Sequence, residues 1–322
     1  MTLGNPDRPV GGLAVRAPAG VELRPIGRSD LTDAVALARA CRRLEPLAAV
    51  EPLRPRLDTL LDSVDVTPFL AVDDGAAVGL GILEFRRRLN VSTFEGAVTE
   101  LFVTERARAR GVGRALLEAL VAEWRLRGSH RLQAKAPDAA SASLYAAAGM
   151  QEWMLDFQLT PLAPLPAPET PGLTLRALGE ADFERVTALI SQFGPQRTPP
   201  SERLEAVRRT YQAVMREEAA GRVFSAVAER DGEVLGVYCG EWQQPFWTDE
   251  THAWLADLIV DESHRGQGIG RALLAHAVER AVAAGATRLT LESGPGRAAA
   301  HGLYQSTGFA ETGRTWLLRR EE

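Results

Sequence analysis

Cysteine is scarce in this chain of 322 residues, which contains only Cys41 and Cys239. The two cysteines lie in different halves of the chain, and neither belongs to a Cys-x-x-Cys pair or to a Cys/His cluster. Such a pattern supports neither a disulfide framework nor a zinc site. We therefore expect two reduced thiols in the protein core and no bound metal.

A dominant charge sign and long apolar runs are also lacking. The net charge is only -5, with acidic and basic residues interspersed, so we expect no surface for nucleic acid or for an anionic membrane. No apolar run approaches the roughly 20 residues that span a bilayer, and the first residues contain no apolar signal core. These absences favour a cytoplasmic protein, monomer or homodimer, whose partners are small molecules. Lysine is almost missing too, since Lys135 is the only one.

A repeated motif is the main positive feature. The pattern Arg-x-x-Gly-x-Gly occurs at residues 108–113 and again at 265–270, which is 157 residues later (265 − 108). Each copy follows an apolar segment typical of a strand and precedes Arg-Ala-Leu-Leu, the start of a predicted helix. A segment with five prolines separates the two halves. We expect a flexible N-terminus over residues 1–20, an N-terminal module over 21–160, a linker over 161–171 and a C-terminal module over 172–322.

The glycine motif has a direct chemical interpretation. A strand that runs through a glycine-rich loop into a helix brings unpaired backbone N–H groups and the positive helix end together, which makes an anion site. A dinucleotide-binding loop is one alternative, but Leu116 and Leu273 stand where that motif needs its third small residue. A purely structural glycine turn is a second alternative.

The segments "DLIV", "RGQGIG" and "HGLYQSTGF" resemble the GNAT acetyltransferase superfamily, and the resemblance covers both halves. It implies two modules of an α/β fold (α+β type), each a mixed, mostly antiparallel sheet flanked by helices. It further implies an N-acetyltransferase that uses acetyl-CoA and a small amine acceptor. The resemblance assigns the CoA pyrophosphate to Arg108, Ala109, Arg110, Gly111, Val112, Gly113 and Arg114, and to Arg265, Gly266, Gln267, Gly268, Ile269, Gly270 and Arg271. It assigns the pantetheine arm to Leu101, Phe102 and Val103, and to Leu258, Ile259 and Val260.

Two tyrosines occupy matching places in the halves, Tyr145 and Tyr304. The resemblance implies that such a tyrosine protonates the departing CoA thiolate, and a phenol with a pKa near 10 suits that task. An aromatic residue that merely packs on the core is the alternative. The second copy ends in Leu-Tyr-x-x-x-Gly-Phe whereas the first ends in Met150, so the C-terminal module is expected to be the catalytic one.

The proton of the attacking amine needs an acceptor, for which Glu100 and Asp257 are candidates at equivalent positions. Glu95 and Glu292 are further candidates. Strand alternation argues against Asp257, because it predicts that Asp257 and Trp254 lie on opposite faces. A structural carboxylate remains the alternative for Asp257, and a non-catalytic acetyl-CoA sensor or scaffold remains the alternative for the whole chain.

An aromatic segment, residues 239–254, joins the third and fourth strands of the C-terminal half. Its tryptophans and acids suit an acceptor pocket for a cationic amine. Packing of this segment on the other module explains them equally well.

Overall fold

The computed structural model describes residues 15, 17–47, 49–86, 88, 89, 95–192 and 201–320, and for 201–203 only the backbone. Most of the expected flexible N-terminus, residues 1–14 and 16, lies outside the described residues.

Within the described residues, the strands form a single twelve-stranded sheet. The strands are β1 (Val21–Pro25), β2 (Val66–Asp73), β3 (Ala76–Arg86), β4 (Glu95–Val103), β5 (Arg131–Ala136), β6 (Gln151–Leu159), β7 (Thr174–Arg176), β8 (Val223–Arg230), β9 (Glu233–Gln243), β10 (Thr251–Val260), β11 (Ala286–Ser293) and β12 (Ala310–Arg319). Their order in the sheet is β1-β2-β3-β4-β5-β12-β6-β11-β10-β9-β8-β7. The pairs β4–β5 and β10–β11 are parallel, and the other pairs are antiparallel.

The two halves exchange their last strands. Strand β6 ends the N-terminal half but pairs with β11, while β12 ends the C-terminal half but pairs with β5. The exchanged strands also pair with each other, which joins the two halves into one sheet. The expectation of a mixed, mostly antiparallel sheet flanked by helices is confirmed. The exchange itself was not predicted, because pairing partners of similar strands cannot be told apart by local sequence.

Helices cover both faces of this sheet. They are α1 (Leu31–Cys41), α2 (Arg54–Asp62), α3 (Val112–Arg127), α4 (Ala139–Ala147), α5 (Phe183–Ser191), α6 (Ser201–Ala219), α7 (Ile269–Ala283) and α8 (Ala298–Ser306). In the N-terminal half, α3 and α4 pack against one face, and α1 and α2 pack against the other. The C-terminal half repeats this arrangement with α7 and α8 on one face and α5 and α6 on the other.

Two equivalent glycines let α3 and α7 lie close to the sheet. A Cβ atom at Gly79 would stand 2.8 Å from Leu116 Cδ1, and one at Gly236 would stand 2.9 Å from Leu273 Cδ1. Both leucines are fully buried. They therefore serve as the packing contact between helix and sheet, on the turn that follows each glycine loop.

The sheet is strongly curved at its centre. Lys135 Nζ on β5 lies 2.8 Å from Glu292 Oε1 on β11, although two strands separate β5 from β11 in the sheet. Three strand spacings of about 4.8 Å would keep these side chains far apart in a flat sheet. The curvature makes one face of the sheet concave, and this face forms the floor of the site described below.

Candidate active site

Both glycine loops have the same backbone geometry. Gly111 and Gly268 adopt φ values of 86° and 83°, in the left-handed region that favours glycine, directly before α3 and α7. The N-terminal amides of each helix lack helical partners, so they are available to an anion at the loop. Arg108 Nε donates to the Val103 carbonyl at 3.3 Å, and Arg265 Nε donates to the Val260 carbonyl at 3.4 Å. Each arginine therefore connects its loop to the end of the preceding strand.

Other residues assigned to the loops contact nearby protein groups. Arg110 pairs with Asp73 at 2.7 Å, Arg114 with Glu118 at 2.8 Å, Gln267 with Arg230 at 3.1 Å and Arg271 with Ser306 at 2.8 Å. These contacts hold the outer rim of each loop in place.

The parallel strands beside each loop separate along their length. Strands β4 and β5 pair only from Gly96–Val98 to Leu132–Ala134, and β10 pairs with β11 only as far as Leu255. Beyond those points, residues 101–103 pair with β3 alone and residues 258–260 pair with β9 alone. An extended chain such as a pantetheine arm fits beside a strand whose other edge is unpaired.

A β-bulge corrects the expectation about strand alternation. The register of β10 shifts between Leu255 and Asp257, so that Trp254 pairs with Glu241 and Asp257 pairs with Cys239. Because Glu241 and Cys239 are two residues apart, Trp254 and Asp257 share a face. Strand β4 has the equivalent shift between Val98 and Glu100. The argument against Asp257 from alternation was therefore wrong, since one extra residue reverses the pattern.

A cavity of about 510 Å³ lies where β4 and β5 separate. Its walls include Glu100, Leu101 and Phe102 of β4, and Tyr145 of α4. The floor comes from the concave face of the sheet, and the remaining wall is residues 241–247 of the C-terminal half. Its volume is in the range of small-molecule sites.

The aromatic segment predicted to border an acceptor pocket borders this cavity, in the other half of the chain. Phe246 and Trp247 are buried against α1 and α2. Arg39 donates to the Trp247 carbonyl at 2.9 Å, and Arg56 donates to the carbonyl of Glu250 at 2.9 Å. The segment therefore packs on the other half, as one interpretation predicted, and it also lines the cavity there; that the cavity takes an acceptor stays a prediction.

Glu100 is held by residues from both halves. Trp247 Nε1 donates to one of its carboxylate oxygens at 2.7 Å, and Arg42 binds the other at 2.9 Å. The Arg42 guanidinium also stacks over the Trp247 ring, 4.1 Å from its centroid. Burial raises the pKa of Glu100, and the charge of Arg42 limits that rise.

The equivalent cleft of the C-terminal half is almost filled. It measures about 60 Å³ and is lined by Asp257 and Tyr304. Arg88, from the segment between β3 and β4, enters this cleft and is only 4% exposed. Its guanidinium donates to the Ala256 carbonyl and lies 3.8 Å from Asp257 Oδ1 and 3.5 Å from Glu95 Oε1. Burial raises the pKa of Asp257, with Arg88 opposing the rise.

The tyrosines occupy different surroundings. Tyr145 is buried and lines the large cavity, while Tyr304 lines the small cleft and packs against Phe157 and Phe309. Burial raises the pKa of Tyr145 well above its usual value and that of Tyr304 to about 12. Both phenols therefore remain protonated at neutral pH.

Four contacts at the two clefts were not predicted from the sequence: those of Arg42 and Trp247 with Glu100, of Arg88 with Asp257, and of Lys135 with Glu292. All but the Arg42 contact join the two halves of the chain. The Lys135 contact had a signal, because Lys135 and Glu292 are 157 residues apart (292 − 135), which is the spacing of the glycine motifs. When two similar halves are related by an approximate two-fold axis, equivalent positions near that axis face each other, and opposite charges at those positions can form an ion pair.

The described residues lack two kinds of feature. Among them, no cluster of three or more His, Cys, Asp or Glu side chains has an arrangement that could hold a metal ion. None of the described helices combines the length and the apolar character needed to cross a bilayer.

Two regions of the chain, residues 36–150 and 186–309, match the Acetyltransferase (GNAT) family. The chain belongs to this family. The GNAT resemblance of both halves is thereby confirmed, and the protein is an acetyltransferase. The family in general uses acetyl-CoA as its acyl donor.

Relatives agree with the tandem arrangement. Mycothiol acetyltransferase from Thermomonospora curvata is 28% identical over 289 residues, which are 87% of this chain and 90% of that protein. Human N-acetyltransferase 8B is 34% identical over 91 residues, so the match covers 28% of this chain and 40% of that relative. A tandem GNAT protein from the clavulanic acid biosynthesis pathway has a TM-score of 0.59 at 18% identity, covering 94% of this chain and 99% of its own. The last similarity shows the fold alone.

Proposed function

We propose that this GNAT protein transfers an acetyl group from acetyl-CoA to the amino group of a small molecule, with the reaction in its N-terminal half. The observation that carries the proposal is the cavity of about 510 Å³ where β4 and β5 separate, beside Tyr145. Placing the reaction in the N-terminal half differs from the prediction made from the sequence, in which the more complete motif favoured the C-terminal module. That completeness concerned the segment that follows each tyrosine, whereas transfer also needs room for the acceptor.

The residues of the N-terminal half fit acetyl-CoA. Gly111, with its positive φ, precedes the free amides of α3, which suit the pyrophosphate. A Cβ at Gly113 would stand at van der Waals distance from Val103 (3.4 Å) and Leu144 (3.7 Å), so the loop packs directly on strand and helix. Leu101 to Val103 offer an unpaired strand edge to the pantetheine arm. The bound donor supplies the thioester whose acyl carbon is attacked.

The chain's own groups supply the proton transfers. The neutral amine forms the new C–N bond with the acetyl carbon as the C–S bond breaks. Tyr145 donates its phenolic proton to the leaving sulfur, which departs as the thiol. Glu100 accepts the proton that the amine loses, directly or through water, and its raised pKa brings it nearer to the working range of a general base. Glu100 then releases its proton to solvent and Tyr145 takes one up from solvent, which restores both groups and closes the proton balance.

The C-terminal half is proposed to bind acetyl-CoA without transfer. Its glycine loop has the same geometry, but Arg88 occupies the place next to Asp257 where an acceptor amine would have to enter. Displacing the buried guanidinium would leave Asp257 without its ion-pair partner, which is strongly unfavourable, while Glu95 would keep Arg131. The C-terminal half therefore contributes the aromatic wall of the N-terminal cavity.

A matched pair of tyrosine variants tests this assignment. Tyr145→Phe should lower kcat by roughly 10²- to 10⁴-fold with little change in acetyl-CoA affinity, because only the proton donor is lost. Tyr304→Phe removes the same atom from the other half and should leave kcat near that of the wild type. Release of CoA thiol across a panel of amines is the measurement. The reverse ranking would move the reaction to the C-terminal half, and equal losses would mean two working sites.

Loop variants separate catalysis from binding. Gly111→Asp places a side chain and a negative charge at the N-terminal anion site and should abolish transfer. Gly268→Asp should abolish one of two acetyl-CoA binding events in calorimetry and leave transfer intact. An acetyl-CoA sensor would bind the donor yet release no thiol above the hydrolytic background with any amine, which would refute the enzymatic proposal.

A further inference from the structure

The floor of the large cavity is unusually polar for the concave face of a sheet. Cavity-lining residues that pair across neighbouring strands include Lys135 with Thr315, Asp156 with Glu292, and Gln158 with Thr290. Directly paired residues share a face, so these side chains form a polar floor across β5, β12, β6 and β11, and Glu241 of β9 borders the same cavity. Such a floor suits a hydrophilic ligand.

The carboxylates of this cavity fall into two groups. Three are neutralised within the protein, at 3.0 Å for Glu84 with Arg86, 2.9 Å for Glu100 with Arg42 and 2.8 Å for Glu292 with Lys135. Two are not: among the described residues, no ion pair reaches Asp156 or Glu241. The two remaining basic residues of the wall, His252 and Arg288, lie near Glu250, at 3.1 Å and 3.6 Å, and burial lowers the pKa of His252.

Among the described residues, Asp156 and Glu241 therefore have no cationic side chain within salt-bridge distance, although Lys135 acts on Asp156 and Arg86 acts on Glu241 from farther away. Asp156 is 5% exposed and accepts a hydrogen bond from the Thr315 hydroxyl at 2.5 Å, while no described residue hydrogen-bonds to the Glu241 carboxyl. Burial raises the pKa of Asp156 to about 6 and that of Glu241 to about 7. A cation that entered the cavity would favour the ionised form of both groups.

The reacting amine does not meet this need. It must be neutral when it attacks the acetyl carbon, so it cannot also serve as the counter-ion of a buried carboxylate. Any cation at Asp156 or Glu241 must therefore come from another part of the acceptor.

We propose that the acceptor is a hydrophilic small molecule with at least two amino groups, of which one is acetylated beside Tyr145 and the others are bound as ammonium ions by Asp156 and Glu241. This inference rests on the proposed function of the same cavity. Gln158, Thr290 and the other neutral polar groups of the floor then bind hydroxyl or amide groups of the acceptor. Linear polyamines and polyamino sugars share this chemistry.

Rates with matched acceptors test the inference and distinguish the two sources. Spermidine is compared with hexylamine, and the aminoglycoside kanamycin with glucosamine, each against acetyl-CoA. In the pair that contains the better acceptor, we expect kcat/KM to be at least about tenfold higher for the polyamine than for the monoamine, because the polyamine gains a charged hydrogen bond. If monoamines react as well as polyamines, acetyl transfer stands and the second cation site is wrong.

Carboxamide variants test the two residues. Glu241→Gln and Asp156→Asn should each raise the KM of the preferred polyamine about tenfold, leave kcat within about twofold, and leave kcat/KM of the monoamine unchanged. Because an amide resembles the protonated acid in shape, both variants should remain folded, as thermal unfolding will verify. Glu205→Gln, on the exposed face of α6, is the matched control and should change neither constant. Unchanged polyamine KM in both cavity variants would overturn the inference.

A binding measurement makes the outcome independent of turnover. Calorimetric titration of spermidine and of kanamycin into the protein without acetyl-CoA should detect binding of one of them, weakened about tenfold by either carboxamide substitution. Binding that is lost in the variants, without thiol release by the wild type, would refute the proposed function and retain the cation site. Failure of both compounds to bind would refute the cation site.

Discussion

Replacing Arg88 by methionine is the sharpest test of how the two halves are held together. The Arg88 side chain is buried, stacks 5.1 Å from the centroid of Trp254, and lies between Asp257 and Glu95. Methionine retains much of the volume but leaves both carboxylates without this cation. Removing one partner of a buried ion pair costs about 3–5 kcal/mol. With an unfolding entropy of about 2 cal/mol/K per residue, a loss of about 4 kcal/mol lowers the melting temperature by about 6 °C.

The pH dependence of this loss has a definite sign. The folded-state pKa of Asp257 is already raised, and without Arg88 it should rise further. The folded state then binds more protons than the unfolded state above the ordinary pKa of an aspartate, so stability falls as pH increases through that window. The melting temperature of Arg88→Met should therefore lie farther below that of the wild type at pH 8 than at pH 5.

A double-mutant cycle provides the control for Arg88. Because Asp257→Asn removes the uncompensated charge, the double variant Arg88→Met/Asp257→Asn should be more stable than Arg88→Met alone. Purely additive losses, or a melting temperature of Arg88→Met within about 1 °C of the wild type, would refute the view that this buried cluster is electrostatically coupled.

Three further predictions concern packing, titration and catalysis. Gly236→Ala should cost about 1–3 kcal/mol in chemical denaturation, because its Cβ would stand 2.8 Å from a backbone carbonyl of β10, whereas Gly302→Ala in α8, with open space around it, should be neutral or stabilising. Glu241→Gln should be more stable than the wild type at pH 8 by about 1–3 kcal/mol and equally stable near pH 4. The reason is that deprotonation of Glu241, with its pKa of about 7, opposes folding only above the ordinary pKa of a glutamate. Equal stability at both pH values would contradict this prediction. Trp247→Phe removes the N–H donor to the Glu100 carboxylate, so the acidic limb of the kcat/KM profile should move upward by about one pH unit, and an unmoved limb would exclude Glu100 as the base.

Local sequence was sufficient for the elements and for the cofactor loops. The spacing of Gly111 and Gly268 before an amphipathic segment predicts the strand-loop-helix unit, because positive φ values and free helix amides are local properties of a few adjacent residues. The hairpins were likewise predicted from the alternation of apolar and polar residues, and the two tyrosines from their matching places in the halves. Family membership followed from these same segments.

Strand alternation predicted the wrong face for Asp257. The side chains of a strand change faces when one residue bulges out of the ladder, and no residue type around Ala256 indicates the bulge. The same holds for the matching bulge before Glu100. Side-chain direction near the site could therefore be known only from the pairing of β10 with β9 and of β4 with β3.

By itself, the sequence determined that the protein has two GNAT halves, each with a glycine loop, a helix and a tyrosine at fixed spacing. Only the tertiary structure decided which of the two clefts is open. The exchange of β6 and β12 and the curvature of the sheet bring Trp247 to Glu100 and Arg88 to Asp257, which leaves one cleft open and fills the other. These contacts join residues more than 140 positions apart, and their energies depend on burial and charge at the meeting point, which no local pattern encodes.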